Sequence, residues 1–460
     1  MSRKSSEAQG RAGTPHTPAQ AFDFRVALRR PGVVPGEPAT IEALVSLQGP
    51  ARPADAMPRE PLTLALVIDR SASMAGTPLD EAKRCARTIV ESLGPRDRAA
   101  VVAFDDEVEV LAPVLGVHQR ASLLAAIDAI ASGGSTDLHG GWQKGVHLLQ
   151  AAMNGVGVHR VILLSDGGAN VGETDLESIA SACRDAARGC ISTSTYGLGR
   201  NFTEDLMLAM AKSGRGNAYY GQTARDLAEP FQAEFALLTS LCARGLVLKV
   251  NAPADVEVRL RNDYEPADGE ARAWKLPDLA YDAEAWAWVE LRVPGNVLGE
   301  FEGEVQLPIT VSAKAAGPGS TPLFFMTAVP PLAALSADDL ATAPLDARLE
   351  QRRDELEAGD TLDAVRSLIA ADRWPDALAA VEKAQARFAA HPWCASVLAT
   401  MQKLVANRDA FGAKEALYAR DNLRRRLTAR DEVRLCLAEE QDAPAFLRRK
   451  AEQGRGQPRS

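Results

Sequence analysis

The middle of the chain alternates apolar runs with amphipathic segments. The apolar runs lie at residues 62–68, 99–104, 160–165 and 190–197. Such runs are typical of strands that are buried on both faces of a parallel sheet. The intervening segments, at residues 79–93, 176–187 and 204–212, place apolar side chains on one helical stripe and charges opposite it. The alternation predicts an α/β fold with a doubly wound, mostly parallel sheet, which we place at residues 61–243.

The segments on either side of this unit have the alternating pattern of antiparallel strands. Residues 21–60 contain two short alternating runs separated by a turn rich in Pro and Gly, and strand-like runs return across residues 244–332. A strand pair alone is only marginally stable. We therefore expect both stretches to form one β-sandwich, into which the α/β unit is inserted or by which it is flanked.

The remainder of the chain is helical or irregular. Residues 333–447 predict a helical region, in which 373–384 has the spacing of one helical-hairpin repeat, too few for a solenoid. A long helix at 224–241 is expected to close the α/β unit. The polar residues 1–20 and the basic tail 448–460 predict disorder.

Length and composition narrow the class of protein. A chain of 460 residues favours two or three folding units. Its net charge of −9 argues against nucleic acid as a partner. No run is long enough to span a membrane and the N-terminus has no apolar signal core, which indicates a cytoplasmic protein. The six cysteines are scattered without a Cys-x-x-Cys pair, so we expect buried free thiols in a reducing compartment.

Polar residues follow the apolar strands at the positions where a ligand site is expected. Asp69, Ser71 and Ser73 come at the end of the first run, Thr136 ends a Gly-Gly-Ser-Thr loop, and Asp166 follows the third run. In an open α/β sheet, ligands bind beyond the carboxyl ends of the strands, where these loops meet. A set made only of oxygen ligands suits a hard cation such as Mg²⁺, Mn²⁺ or Ca²⁺.

The charge balance of this set indicates what else the cation would bind. Two carboxylates about neutralise a divalent ion, and hydroxyl groups add coordination without charge. Mg²⁺ takes about six oxygen ligands, so water fills the positions that the protein leaves open. An Asp or Glu carboxylate of a partner protein would displace one of these waters.

The spacing Asp-x-Ser-x-Ser, a later Gly-Gly-x-Thr and an apolar run ending in Ser-Asp-Gly resemble the metal-ion-dependent adhesion site of von Willebrand factor A domains. The resemblance covers residues 61 to 241, with the motif intact. It implies that Asp69, Ser71, Ser73 and Thr136 bind the ion directly or through water. It also implies that Asp166 binds the ion or one of its ligands.

The β flanks resemble bacterial A-domain proteins in which a sandwich embraces the metal-binding domain. Such bacterial relatives often work beside AAA+ ATPases of the MoxR type. The resemblance therefore implies an alternative function as an adaptor or assembly subunit for such an ATPase.

Two other interpretations of the motif stay open. Ser73 or Thr77 would serve merely as the N-cap of the helix that starts near Pro78. A metal-dependent hydrolase is a weaker alternative, because the chain has no Gly-x-Ser-x-Gly elbow and no Walker A sequence, and no general base is evident. His139 and His147 are expected to lie at the surface or in packing contacts. We therefore expect a binding protein and not an enzyme.

Residues beside the motif are candidates for supporting roles. Arg70 occupies a variable position of the motif and is a candidate for contact with the partner. Asp137 is a second candidate for contact with the partner. It is also a candidate for tuning the site through a hydrogen bond to a ligand, with an exposed loop position as the alternative. Residues 105–107, Asp-Asp-Glu, are expected to form a solvated turn, with a second cation site as the alternative.

The sequence thus predicts a metal-dependent protein–protein interaction module. Its cofactor would be Mg²⁺, or Mn²⁺ or Ca²⁺, and its partner would be a protein that supplies an Asp or Glu side chain to the ion.

Overall fold

The computed structural model of the protein describes residues 22–52, 60–154, 157–166, 168–198, 203–221, 240–295, 308–316 and 321–409, with single positions at 238 and between 414 and 429. The predictions of disorder at 1–20 and 448–460 lie outside the described residues. Most of the helix predicted at 224–241 also lies outside them. Leu241, where that helix was expected to end, is instead the first residue of a strand.

The described elements follow one another in three groups. The first strands are β1 (Asp23–Leu28), β2 (Gly32–Val33) and β3 (Ala39–Gln48). The central group comprises β4 (Leu62–Asp69), α1 (Thr77–Ser92), β5 (Arg98–Phe104), β6 (Val108–Gly116), α2 (Arg120–Asp128), α3 (Leu138–Ala152), β7 (Val158–Ser165), α4 (Leu176–Arg188), β8 (Ile191–Leu198), α5 (Glu204–Ser213) and β9 (Arg215–Gly221).

Further strands and helices complete the chain. The strands are β10 (Leu241–Val250), β11 (Glu257–Leu260), β12 (Ala273–Lys275), β13 (Leu279–Ala280), β14 (Ala283–Val293), β15 (Pro308–Ala315), β16 (Pro322–Ala328) and β17 (Ala333–Ala334). They are followed by α6 (Ala337–Thr342), α7 (Ala347–Ala370), α8 (Trp374–Arg387), α9 (Pro392–Ala406) and β18 (Thr428–Ala429).

The central sheet has the strand order β6-β5-β4-β7-β8-β9. Neighbouring strands are parallel, except that β6 pairs antiparallel with β5 at the edge. Every residue of β4 and β7 is buried, as continuous apolar runs predict for inner strands. The two faces are covered by separate hydrophobic clusters, one containing α1 and α2 and the other containing α3, α4 and α5. The α/β prediction is thus confirmed as a mixed sheet with helices on both faces.

Two antiparallel sheets are built from the strands on either side of this unit. One has the order β1-β3-β14-β11 and the other β12-β10-β15-β16. Strand β3 pairs with β14 along its whole length, from Ala39 opposite Val293 to Gln48 opposite Glu284. Side chains of both sheets, among them Val45 and Val311, belong to one hydrophobic cluster. The N-terminal strands therefore share a core with strands that follow the α/β unit.

The helical region packs against the outer face of the first of these sheets. Leu349 and Leu356 of α7 contact Trp286 and Trp288 of β14 in a buried cluster. Helices α7, α8 and α9 have a further core of their own. In the described part of the chain, no helix is both long and apolar enough to cross a membrane.

The cysteines are only partly as the sequence predicts. Cys85, Cys183, Cys242 and Cys394 are free and buried, but Cys190 is exposed. It lies in the turn between α4 and β8 with a φ of 65°, so the expectation of burial is wrong at this position. The reason is local, because the turn needs a residue with left-handed backbone outside the sheet.

Candidate cation site

The last residue of β4, Asp69, is a fully buried carboxylate at the carboxyl edge of the central sheet. Its Oδ1 accepts a hydrogen bond of 2.8 Å from the backbone N–H of Ser71. Its Oδ2 accepts a bond of 2.5 Å from the hydroxyl of Ser165, at the end of the adjacent strand β7. Both carboxylate oxygens are therefore held in fixed positions.

Burial raises the pKa of Asp69 from 3.8 to about 6, although the hydrogen bonds from Ser165 and Ser71 favour the charged form. The negative charge of Asp166 raises this pKa further. The groups that act most strongly on Asp69 are thus hydroxyls, a backbone amide and a second carboxylate, and none of them is basic. A buried carboxylate usually has a positive partner, and a bound cation would supply one here.

Ser71 and Ser73 place two hydroxyl groups beside Asp69. Their Oγ atoms are 3.1 Å apart, and a short 3-10 helix at Ala72–Met74 brings them to the same side of the loop. Helix α1 has Gly76 as its N-cap residue, without a side-chain cap bond. The alternative that Ser73 or Thr77 caps this helix is therefore wrong, and both serine hydroxyls are available for another role.

The loop that carries Thr136 lies directly against this segment. The backbone N–H of Ala72 donates to the carbonyl of Gly134 at 2.9 Å, and the N–H of Gly133 donates to the carbonyl of Arg70 at 2.7 Å. Two strand ends and one loop thus converge, as the sequence predicts. Thr136 itself is buried.

The segment after β7 closes the other side of the site. The N–H of Thr136 donates to Oδ1 of Asn170 at 2.8 Å. The N–H groups of Asn170 and Val171 both donate to the carbonyl of Thr136 at 3.1 Å. Asp166, at the start of this segment, is half-buried and close enough to Asp69 to act on its pKa. All the predicted ligand positions therefore lie at the end of β4 or on loops that meet at the same edge of the sheet.

The two candidates for partner contact are engaged within the chain. Arg70 is largely buried and pairs with Asp105 at 3.1 Å and with Glu109 at 2.8 Å. Asp137 is the N-cap residue of α3, where its Oδ1 accepts a hydrogen bond from the N–H of Gly140 at 2.9 Å. Partner contact by these side chains would require them to leave these interactions.

The expectation that residues 105–107 form a solvated turn is wrong for Asp105, whose side chain is buried. Burial would raise the pKa of Asp105, but the hydrogen bond from the N–H of Glu107 and the Arg70 guanidinium outweigh it, and this pKa is lowered. Asp105 is thus a buried carboxylate that is paired with Arg70. Asp106 and Glu107 remain exposed.

Sequence reasoning also passed over Ser165 and Asn170. Ser165 had a usable signal, because parallel pairing places Ile68 opposite Leu164 and therefore sets the next residues, Asp69 and Ser165, side by side. Asn170 had no such signal, since it lies in an irregular segment whose path depends on tertiary contacts.

The donor set fits a hard divalent cation. In the described residues, no group of three or more His, Cys, Asp and Glu side chains is arranged to hold a metal ion. A cation at this edge would therefore be held by carboxylate and hydroxyl oxygens together, namely by Asp69, Ser71, Ser73 and Thr136, with Asp166 beside them. Such oxygens suit Mg²⁺, Mn²⁺ or Ca²⁺ and do not suit ions that prefer sulfur.

Comparison with known proteins agrees with this geometry. The family model of the von Willebrand factor type A domain matches residues 63–233. An uncharacterized protein of Synechocystis sp. is 27% identical over 267 residues, which are 54% of this chain and 61% of that protein. Inter-alpha-trypsin inhibitor heavy chain H3 of Homo sapiens is 30% identical over 173 residues, which are 35% of this chain and 19% of the human protein. The chain thus spans only part of the length of these relatives.

A solved structure shows the same fold over most of the chain. The structure titled von Willebrand factor type A from Catenulispora acidiphila superposes with a TM-score of 0.67 at 17% identity, and the match covers 90% of this chain and 99% of that one. The likeness therefore extends beyond the central sheet into the flanking elements. From the fold, the convergent loops and the family match, the chain contains a von Willebrand factor type A domain at residues 63–233.

Proposed function

We propose that this A domain binds a protein partner through a divalent cation. Asp69, Ser71, Ser73 and Thr136 would hold the ion, with Asp166 binding it directly or through water. An Asp or Glu carboxylate of the partner would complete the coordination. Mg²⁺ is the ion we favour, and Mn²⁺ and Ca²⁺ have the same preference for oxygen ligands.

The observation that carries this proposal is the environment of Asp69. Its carboxylate is fully buried and lies between a serine hydroxyl and a backbone amide, beside a second carboxylate. Removing a charge from water without a counter-charge is expensive. Folding this carboxylate into the sheet edge is therefore easiest to understand if a cation binds there.

The accessibility of the site supports a role in binding. Asp69, Ser71 and Thr136 are buried, whereas Ser73 is exposed and Asp166 is half-buried. One side of the site therefore faces solvent, where a partner carboxylate can approach. The similarity to inter-alpha-trypsin inhibitor heavy chains favours protein interaction as the general role of the domain.

Catalysis is less well supported by the described residues. His139, the histidine nearest to Thr136 along the chain, stacks on Trp142 with ring centroids 5.8 Å apart. It therefore contributes to packing on α3, as the sequence predicts. We propose binding without turnover.

A small acidic peptide tests the proposal without knowledge of the natural partner. The protein is loaded with Mn²⁺, whose unpaired electrons shorten the relaxation times of nearby protons. The blocked peptide Gly-Asp-Gly is then compared with Gly-Asn-Gly by proton relaxation. We expect relaxation enhancement for the Asp peptide that exceeds that of the Asn peptide and is absent with the Asp69→Asn variant. Equal enhancement for both peptides, with Mn²⁺ bound to the protein, would contradict the carboxylate part of the proposal.

A further inference from the structure

We propose that Arg70 and Asp105 are positioning residues of the cation site, which hold the loop bearing Thr136 against the loop bearing Ser71 before any cation binds. The inference rests on the proposed function, because it concerns how the same site is held together. It assigns a role to a buried ion pair that the ligand motif does not include.

The Asp105 side chain binds two backbone amides and the side chain of Arg70, and so connects three segments of the chain. Its Oδ2 accepts a hydrogen bond from the N–H of Gly134 at 3.2 Å, and its Oδ1 accepts one from the N–H of Glu107 at 2.9 Å. The same carboxylate accepts bonds from Nε and Nη2 of Arg70 at 3.1 and 3.3 Å. Its backbone carbonyl accepts a further bond from the N–H of Asp137 at 2.7 Å. The Thr136 loop is thus tied to Asp105 on both sides of Thr136.

Arg70 joins this arrangement to the strand that carries Asp69. Its N–H donates to the carbonyl of Phe104 at 2.8 Å, and its own carbonyl accepts a bond from the N–H of Gly133 at 2.7 Å. Its guanidinium is held by Asp105 and, at 2.8 Å, by Glu109. A bidentate guanidinium–carboxylate pair has a defined geometry as well as strength. The pair therefore fixes the Asp105 carboxylate relative to the loop that follows Asp69.

The two glycines of the Thr136 loop show how close this approach is. A Cβ on Gly133 would lie 2.0 Å from Oδ2 of Asp105, and a Cβ on Gly134 would lie 1.6 Å from Oδ1 of Asp106. Asp106 is exposed and its carboxylate accepts a bond from the N–H of Ser135 at 3.1 Å, so it has room to rotate away. Asp105 is clamped by Arg70 and has no such freedom. Only glycine at position 133 permits the loop to approach the clamped carboxylate.

The consequence for the site is geometric. Asp69 and Ser71 flank Arg70 in the chain, and Thr136 lies between Gly134 and Asp137, the residues whose amides bind Asp105. Loss of the Asp105 carboxylate would remove the tie at Gly134 and leave the backbone bond from Asp137 in place, and would thereby loosen Thr136 relative to Asp69 without changing any ligand. Losing a group that orients metal ligands lowers metal affinity by roughly 10–100-fold.

The test compares Asp105→Ala with the matched neighbour Asp106→Ala in the full chain. Mg²⁺ affinity is measured by calorimetry, amide hydrogen exchange at residues 133–137 is measured in EDTA, and thermal melting gives the stability of each variant. We expect Asp105→Ala to bind Mg²⁺ roughly 10–100-fold more weakly and to exchange these amides faster without metal. Asp106→Ala should stay within about two-fold of the unaltered chain, because the Asp106 carboxylate is exposed and water can replace its bond to the N–H of Ser135.

A second pair of variants separates positioning from general destabilisation. Gly133→Ala should weaken Mg²⁺ binding more than Gly134→Ala does, because only the former meets the clamped carboxylate. If Asp105→Ala melts at a lower temperature but its folded form keeps the Mg²⁺ affinity of the unaltered chain, the residue is merely structural and the inference is overturned, while the proposed function stands. If the unaltered chain itself binds no Mg²⁺, both fail together.

Discussion

The hydroxyl of Ser165 donates a hydrogen bond of 2.5 Å to Oδ2 of Asp69, across the junction between β7 and β4. This bond joins the two strand ends on which the proposed cation site depends. It favours the charged carboxylate, but burial outweighs it and the pKa of Asp69 rises to about 6. The folded protein therefore disfavours the charge of Asp69, and a bound cation would offset this cost.

Asp69→Asn should make the metal-free protein more stable at pH 8. A raised acid pKa means that the folded state disfavours the charged form, so stability falls as pH rises from 3.8 through about 6. Asparagine removes this charge and should raise the free energy of unfolding by about 1–3 kcal/mol. Urea unfolding in EDTA measures the difference, which should shrink at pH 5.

The matched control is Asp106→Asn, which removes an exposed carboxylate of the same edge. It should change the free energy of unfolding by no more than about 0.5 kcal/mol. A clear loss of stability in Asp69→Asn under the same conditions would show that the carboxylate is satisfied without a cation.

The convergence of Asp69 and Asp166 at one edge of the sheet was predictable because both lie at strand ends. A buried parallel strand that ends in Asp69, and another that is followed by Asp166, must present these residues at one edge of the sheet. The strand β6 was not predicted. It contains Pro113 and pairs irregularly at the edge of the sheet, so its pattern lacks the clean alternation of a regular strand.

The pairing of Arg70 with Asp105 was also not predictable from the sequence. Arg70 was expected to face a partner and Asp105 to face water, which are the usual positions of isolated charged residues. Their pairing depends on the parallel register that sets Asp69 opposite Phe104 and brings the following residues together. The two opposite charges are evident from the sequence, but their contact follows only from the register of β4 and β5.

Arg352→Met should loosen the attachment of the helical region. Arg352 is buried, donates to Glu284 at 3.1 Å and to Glu355 at 2.8 Å, and lies over the Trp286 ring at 4.7 Å. Without it, the buried Glu355 loses its guanidinium partner and the buried Glu284 keeps only that of Arg348, at a cost of about 3–5 kcal/mol. Urea unfolding followed by tryptophan fluorescence measures this loss.

The neighbouring Arg348 provides the control for that variant. Its side chain is 51% exposed and it pairs with the same Glu284. Arg348→Met should therefore cost no more than about 1 kcal/mol. Equal costs for the two variants would contradict a larger contribution from the buried Arg352.

His159 should make the protein less stable in weak acid. Burial lowers its pKa from 6.5, and the charges of Arg244 and Arg98 lower it further. The unfolded chain thus binds a proton below pH 6.5 that the folded chain resists, so stability falls as pH drops below this value and levels off below the folded pKa. The free energy of unfolding of His159→Gln should decline less over this range.

The free energy of unfolding is compared as the difference between the unaltered protein and His159→Gln at each pH. The contributions of groups common to both proteins, including Asp69, then cancel. Measurements from pH 7.5 to 5 in EDTA are sufficient. Parallel pH profiles for the two proteins would contradict the assignment of this effect to His159.

Cys190 should react with a thiol reagent in the folded protein, while the buried thiols do not. Burial raises the pKa of Cys85 to about 12 and that of Cys242 to about 12, and it also raises the pKa of Cys183. The thiolate is the reactive form of cysteine. These thiols are therefore protected both by burial and by remaining protonated.

Labelling is best followed in a Cys436→Ser background, because residue 436 lies outside the described residues. One fast-reacting thiol is expected, and it should disappear when Cys190→Ser is added. Rapid reaction of a further cysteine under native conditions would mean that a buried segment opens readily.

The most direct test of the central claim is a calorimetric titration of the unaltered chain and of Asp69→Asn with Mg²⁺. We predict saturable binding to the unaltered chain and none to the variant, because the variant keeps the proposed hydroxyl ligands but loses the buried charge that would hold the ion. Binding of equal strength to both proteins, or to neither, would contradict a cation site centred on Asp69.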